Sequence, residues 1–204
     1  MKTTVKCMGL LIVLVLVSVP AMADSFLPYP TPGTQNGTHY SFTAATTGNI
    51  TAYFYGSDAT YTSLLGLSIN GGAVVYSTLN NHTSSYGDSF SWAVNAGDTL
   101  VFVLDILTVP PDSSYSSLNT DNPSNEEHIY STIYIDSGPP DGIPGGTYVG
   151  FEDRSAVQGP MTDWDYNDHE FVFTNIRSVP EPGILLLLGF GMGAVSLVSF
   201  RWKK

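Results

Sequence analysis

Leu64-Leu65-Gly66-Leu67-Ser68-Ile69, then Asn70-Gly71-Gly72, then Ala73-Val74-Val75-Tyr76-Ser77: two short apolar, β-branched and aromatic runs separated by a turn signal decide the fold. Asn-Gly is the strongest short-range sign of a hairpin, because both residues tolerate the positive φ that a tight two-residue turn requires. Each run is too short for a helix and is bounded by turn formers, so both read as strands. The same pattern continues outward. Strands are predicted near His39–Thr43, Ile50–Tyr55, Leu64–Ile69, Ala73–Ser77, Ser89–Val94, Thr99–Leu107, His128–Ile135, Thr147–Phe151 and Glu170–Ile176. Leu100–Leu104 is continuously apolar, the pattern of a strand covered on both faces. His128–Ile135 alternates, with Ile129, Ile133 and Ile135 on one side and Tyr130, Thr132 and Tyr134 on the other. Pro110–Ser124 and Ser137–Gly146 are rich in turn residues and read as long loops. No capped helical stripe precedes residue 183. The expectation is an all-β, antiparallel β-sandwich, jelly-roll-like in style.

Both chain ends differ from this middle. Lys2 and Lys6, the apolar stretch Met8–Val19, and Ala21-Met22-Ala23 have the form of a secretory signal peptide over residues 1–23. Cys7 is the only cysteine and falls inside that leader, so the exported chain is expected to hold neither disulfides nor a thiolate zinc site. Between the two basic ends only Arg154 and Arg177 face all 18 carboxylates, a net of −16 from 2 cations and 18 anions. Such a surface repels nucleic acid and anionic lipid and attracts cations, so nucleic-acid binding is excluded. The expected domain runs from Asp24 to Ser178, and residues 179–204 form a tail.

That tail reads Val179-Pro180-Glu181-Pro182, then Gly183–Phe200 with no charge, then Arg201-Trp202-Lys203-Lys204. As a helix the 18-residue apolar run would be about 27 Å long, enough to cross a bilayer core. The terminal cations favour the cytoplasmic side, which leaves the acidic domain outside. Pro-Glu-Pro, an apolar helix and a short basic end, in that order, resemble the PEP-CTERM sorting signal. The resemblance implies that Pro180, Glu181 and Pro182 are the processing motif and 183–200 the transmembrane hold. It also implies exosortase, a membrane protease-transpeptidase of Gram-negative bacteria that make exopolysaccharide, as partner. The implied route is an exported precursor tethered in the inner membrane, then released to the cell surface, outer envelope or extracellular matrix. A plain tail anchor is the competing reading.

Chemistry concentrates between Glu126 and Glu170. Glu152-Asp153 ends one predicted strand and Asp163-Trp164-Asp165-Tyr166-Asn167-Asp168 opens the next. Oxygen ligands at alternate positions of a tight loop converge on one centre, as in calcium loops. Asp163, Asp165 and Asn167 match the opening of such a loop, but its sixth position is Asp168 rather than Gly and its twelfth is Thr174 rather than Glu. It is not an EF-hand. Crowded carboxylates repel one another unless a cation or water neutralises them. Glu152, Asp153, Asp163, Asp165, Asn167 and Asp168 are therefore the candidate metal ligands, calcium first, with His128 beside Glu126 and Glu127 as a possible addition. The alternative is a solvated acidic turn.

Asn125-Glu126-Glu127-His128, Gly150-Phe151-Glu152-Asp153 and Asp163-Trp164-Asp165-Tyr166-Asn167-Asp168 with Phe171-Val172-Phe173 resemble the domain of unknown function 4114 family of bacterial surface proteins. That resemblance implies the possibility of enzymic activity at Glu152, Asp153, Asp163, Asp165 and Asp168. Two functions therefore compete: a structural or adhesive surface protein that holds calcium and meets an exopolysaccharide, and a carboxylate-dependent hydrolase acting on polysaccharide. Adjacent carboxylates on one loop supply neither the separation nor the contrasting environments of a glycosidase pair, and no nucleophile or metalloprotease motif is present, which favours the non-enzymatic reading. Tyr130, Tyr134 and Trp164 are candidate sugar-stacking aromatics. In a host with exosortase, the mature chain is expected to begin near Asp24 and to lack Gly183–Lys204; intact mass measured on surface-extracted protein checks this, and mature protein retaining Trp202 would identify a plain anchor instead.

Overall fold

The computed structural model describes residues 29–108, 113–135, 142–158 and 162–180. The expected leader at residues 1–23 and the apolar run Gly183–Phe200 lie outside these, and among the described residues no helix is long and apolar enough to cross a membrane. The elements are β1 (Tyr40–Ala44), β2 (Gly48–Gly56), β3 (Ser63–Ile69), β4 (Val75–Asn80), β5 (Ser89–Val94), β6 (Thr99–Ile106), β7 (Ser113–Ser116), β8 (Ile129–Tyr134), β9 (Gly146–Phe151), β10 (His169–Thr174) and β11 (Ile176–Pro180). Single 3-10 turns occur at Asn119–Asp121, Pro123–Asn125 and Ala156–Gln158.

Two antiparallel sheets result. One is six-stranded in the order β11-β1-β6-β3-β4, with β7 also pairing β6; the other is five-stranded in the order β5-β2-β10-β9-β8. Alternation puts Tyr40, Phe42, Leu65, Leu67, Leu100, Phe102 and Leu104 on the inner face of the first sheet. Ile50, Ala52, Phe54, Ile129, Val149, Phe151, Phe171 and Phe173 face them from the second. The sheets meet where the Phe102 and Phe173 rings stack at 4.1 Å between centroids, with Phe42 edge-on to Phe102 at 5.0 Å. The Asn70-Gly71 turn forms as expected: φ is 52° and 71° at its two central residues, and the Gly72 N–H donates to the Ile69 carbonyl at 2.9 Å.

Several expectations are corrected. Ser113–Ser116 lies inside the segment read as a loop, yet it pairs with β6 at Val103–Ile106. Its Ser-Ser-Tyr-Ser sequence offers a single large apolar residue, Tyr115, which is buried in the main core while the backbone pairs with β6. Ile176–Pro180, expected as the end of one strand and the start of the tail, forms a strand of its own: Asn175, at φ 60°, breaks the chain and sends β11 to the other sheet. β6 is covered on one face, since Val101 and Val103 are only half-buried. The outer face of the five-stranded sheet also departs from expectation. Tyr134, Ile143, Tyr148 and Val172 are buried there as a second cluster, with Tyr53, Tyr55 and Tyr130 packed around them. Tyr134 is therefore a packing residue and not an exposed platform, whereas Ile133 and Ile135 are exposed.

Phe102→Ala removes a fully buried ring at the junction of both sheets and is expected to cost about 3–5 kcal/mol, read from the shift in the denaturant midpoint at unchanged slope.

Candidate metal centre

Sheet register builds the site. β8 pairs β9 with Ile129 opposite Phe151, and β10 pairs β9 with His169 opposite Phe151. The residues one step beyond each pair, His128, Glu152 and Asp168, consequently lie in a row at one end of the sheet. Backbone bonds extend the row: the Glu152 N–H donates to the His128 carbonyl at 3.0 Å, and the Asp168 N–H to the Phe151 carbonyl at 3.2 Å. The Asp153 N–H donates to Asp168 Oδ2 at 2.8 Å, which turns both carboxyls inward.

The carboxylates separate into two groups that share one residue. Glu152, Asp153 and Asp168 form an inner group, and Glu152, Asp163 and Asp165 an outer one, each offering oxygens within 4.8 Å of one another. That span is twice a calcium–oxygen distance of about 2.4 Å, so one ion fits inside either group. The inner three are almost completely buried, at 1%, 4% and 9% exposure. Glu152 Oε2 and Asp153 Oδ2 have no hydrogen-bond partner there. Burial raises the Asp168 carboxyl to about 9, reinforced by the charges of Asp153 and Glu152. It raises Glu152 to about 7 and Asp153 to about 6, the latter against the opposing pull of Arg154. Asp165 is also raised, by burial first and then by Asp163. Without a cation, the inner group retains protons in neutral solution.

The 163–168 loop reaches the row through an unusual backbone. Trp164 and Tyr166 both take positive φ, 48° and 58°, a conformation that costs a bulky residue on the order of 1–2 kcal/mol. Tyr166 secures it. Its ring is buried edge-on against Tyr29 at 4.7 Å, its hydroxyl accepts from the Asn36 N–H at 2.7 Å and donates to the Glu127 carbonyl at 3.0 Å. Gly150 completes the fit: a Cβ there would stand 2.2 Å from the Tyr166 carbonyl oxygen, so only glycine lets the loop lie on β9.

The remaining predicted ligands take other parts. The Asn167 amide donates to Asp165 Oδ2 at 2.7 Å and its N–H to Oδ1 at 3.3 Å, so it orients Asp165 beside the outer group. His128 stands outside both groups. Its Nδ1–H donates to the Glu152 carbonyl at 2.9 Å, and its Nε2 lies 3.3 Å from Glu126 Oε2. The ring stacks on Tyr115 at 3.9 Å, with Trp164 beyond it at 5.8 Å, and burial holds its pKa below the ordinary histidine value. His128 is thus a brace that fixes the backbone of Glu152 from two sides. Sequence reasoning missed the anchors Tyr29, Asn36 and Tyr166, whose partners lie up to 130 residues away and leave no local signal. It also left out Glu170, which accepts a short hydrogen bond from Tyr148 on the outer sheet face and is raised to about 7, chiefly by burial.

Both carboxylate groups are built of oxygen donors alone, the donor set of a hard divalent cation such as calcium or magnesium. Among known families, residues 178–204 match the PEP-CTERM protein-sorting motif. That match covers the tail and does not extend to the acidic block at residues 125–173. No curated protein and no solved structure matches the chain. What the sequence comparison establishes is carried by the last 27 residues: the chain bears a PEP-CTERM protein-sorting motif, the mark of an exported, membrane-processed protein.

Proposed function

We propose that this is an exosortase-sorted surface or matrix protein whose acidic centre binds a divalent cation, calcium first, and that its role is structural or adhesive, in contact with exopolysaccharide. The observation that carries the metal reading is the pair of buried, unpartnered oxygens, Glu152 Oε2 and Asp153 Oδ2, beside the equally buried Asp168. A buried carboxylate oxygen without a donor costs several kcal/mol unless a proton or cation meets it. A cation meets all three at once. The outer group, with Asp163 exposed, gives such an ion a side open to solvent, where an anionic glycan group can complete the coordination. Oxygens gathered within 4.8 Å suit a shared ion better than the wider gap, about 5–9.5 Å, of a glycosidase acid–base pair.

An ion bound only by the folded state adds about 2.7 kcal/mol at a hundredfold excess over Kd, or roughly 5–10 °C in melting temperature for a domain of this size. Calorimetry of chelator-stripped protein is expected to show this rise with calcium. Asp168→Asn, which keeps an oxygen for the Asp153 N–H, abolishes most of it, and Asp88→Asn, at an exposed turn, leaves it intact. A melting temperature unmoved by millimolar calcium, magnesium, manganese or zinc overturns the metal reading.

The ion-free protein has its own pH signature. Asp153, Glu152 and Asp168 have folded values of about 6, 7 and 9, above unfolded values near 4. The folded state therefore holds more protons than the unfolded one between these limits. The contribution of these carboxyls to stability is full below about pH 4 and is lost as pH rises toward 9. Buried His128 and His169, held below the ordinary histidine value, oppose it under about pH 6.5, so the net fall is read between about pH 7 and 9. Melting temperature against pH is expected to decline over this window in chelator and to flatten with saturating calcium, which replaces the protons.

A further inference from the structure

The sorting match begins at residue 178, but β11 runs to Pro180, so the first three matched residues are part of the folded sheet. Register pairs Ser178 with Phe42, Val179 with Ser41 and Pro180 with Tyr40. Only Glu181 and Pro182 then separate the sheet from the apolar run that starts at Gly183, a span of at most about 10 Å. A processing enzyme that takes its substrate as an extended strand has to fit its cleft between the bilayer and a folded sandwich within that distance. Releasing β11 from β1 adds five residues, or about 17 Å.

The strand is suited to release. It is the outermost strand of its sheet, with β1 as its hydrogen-bonded neighbour. Of its side chains, Ile176 and Ser178 are half-buried and Arg177 is exposed, whereas β1 buries Tyr40, Phe42 and Ala44. Among the side chains described, losing β11 takes only the half-buried Ile176 from the edge of the shared core, and edge segments with little apolar burial are the ones that open locally. We propose that β11 is an interaction surface shared between β1 and the sorting protease, and that processing draws on the state in which β11 has left the sheet and entered the enzyme as an extended strand. Pro180 and Pro182 fit this role, since each lacks the N–H that would lock it into a ladder.

The test uses the full-length precursor in a host with exosortase, followed by pulse-chase. Two disulfide locks follow the register: Thr43→Cys with Arg177→Cys, which alters no matched residue, and Ser41→Cys with Val179→Cys. Each oxidised precursor is expected to be processed at least about tenfold more slowly, as for a reaction confined to the opened state, and to recover when reduced. The corresponding single-cysteine variants are expected to be processed at the wild-type rate. A flexible Gly/Ser spacer between Arg177 and Ser178, added to the Thr43–Arg177 lock, frees the motif while the strand stays pinned, and restores processing. Locked precursors processed as fast as wild type, or a spacer that fails to rescue the locked chain, overturn the proposal.

Discussion

Like charges in a dry place are the constraint on which the rest of this structure depends. Glu152, Asp153 and Asp168 have been taken almost wholly out of water and set side by side. The fold achieves this with ordinary strand pairing, which puts the ends of β8, β9 and β10 in one row, and with a loop whose strained backbone is held by buried Tyr166 and by hydrogen bonds from Gly33, Asp58 and Ser57. A protein that needed only a polar cap at a sheet end would leave these groups in solvent at no cost. Here the surroundings exclude water while leaving oxygens unmatched, and the group meets that cost either by holding protons or, in the reading proposed above, by a cation.

The net charge outside the site fits the same account. With only Arg154 and Arg177 between the basic ends, the domain has almost no internal counter-charge to offer. Arg154, the nearer of the two, packs over the Tyr61 ring at 4.4 Å, where it eases the charge on Asp153 without ligating it. An acidic surface of this kind raises the local concentration of solution cations.

Much of the architecture was legible because it follows from local rules. Asn70-Gly71 demanded a tight turn, the apolar run Leu100–Leu104 and the alternation along Ile129–Tyr134 demanded strands, and these elements were observed, although β6 proved to be covered on one face only. β7 and β11 were not legible: β7 is four residues long with one apolar side chain, Tyr115, and β11 pairs with β1, a strand distant in sequence. At the site, the grouping of Glu152 and Asp153 with Asp163, Asp165 and Asp168 was readable from their density in the chain. The division into two groups around Glu152 was not, nor the work of His128 and Asn167 as supports, because these depend on which way each side chain points across paired strands.

The pairing of β1 with β11 closes the domain on itself, and Asn36 reaches Tyr166 across the same long interval. Contacts between the two extremes of a chain reward folding only after nearly all of it is present, so their loop-closure entropy is met late. For a polypeptide threaded N-terminus first through a translocation channel, this delays completion. The segment that emerges first waits for the one that emerges last, and the chain stays in a threadable state until its acidic loop and final strand have crossed.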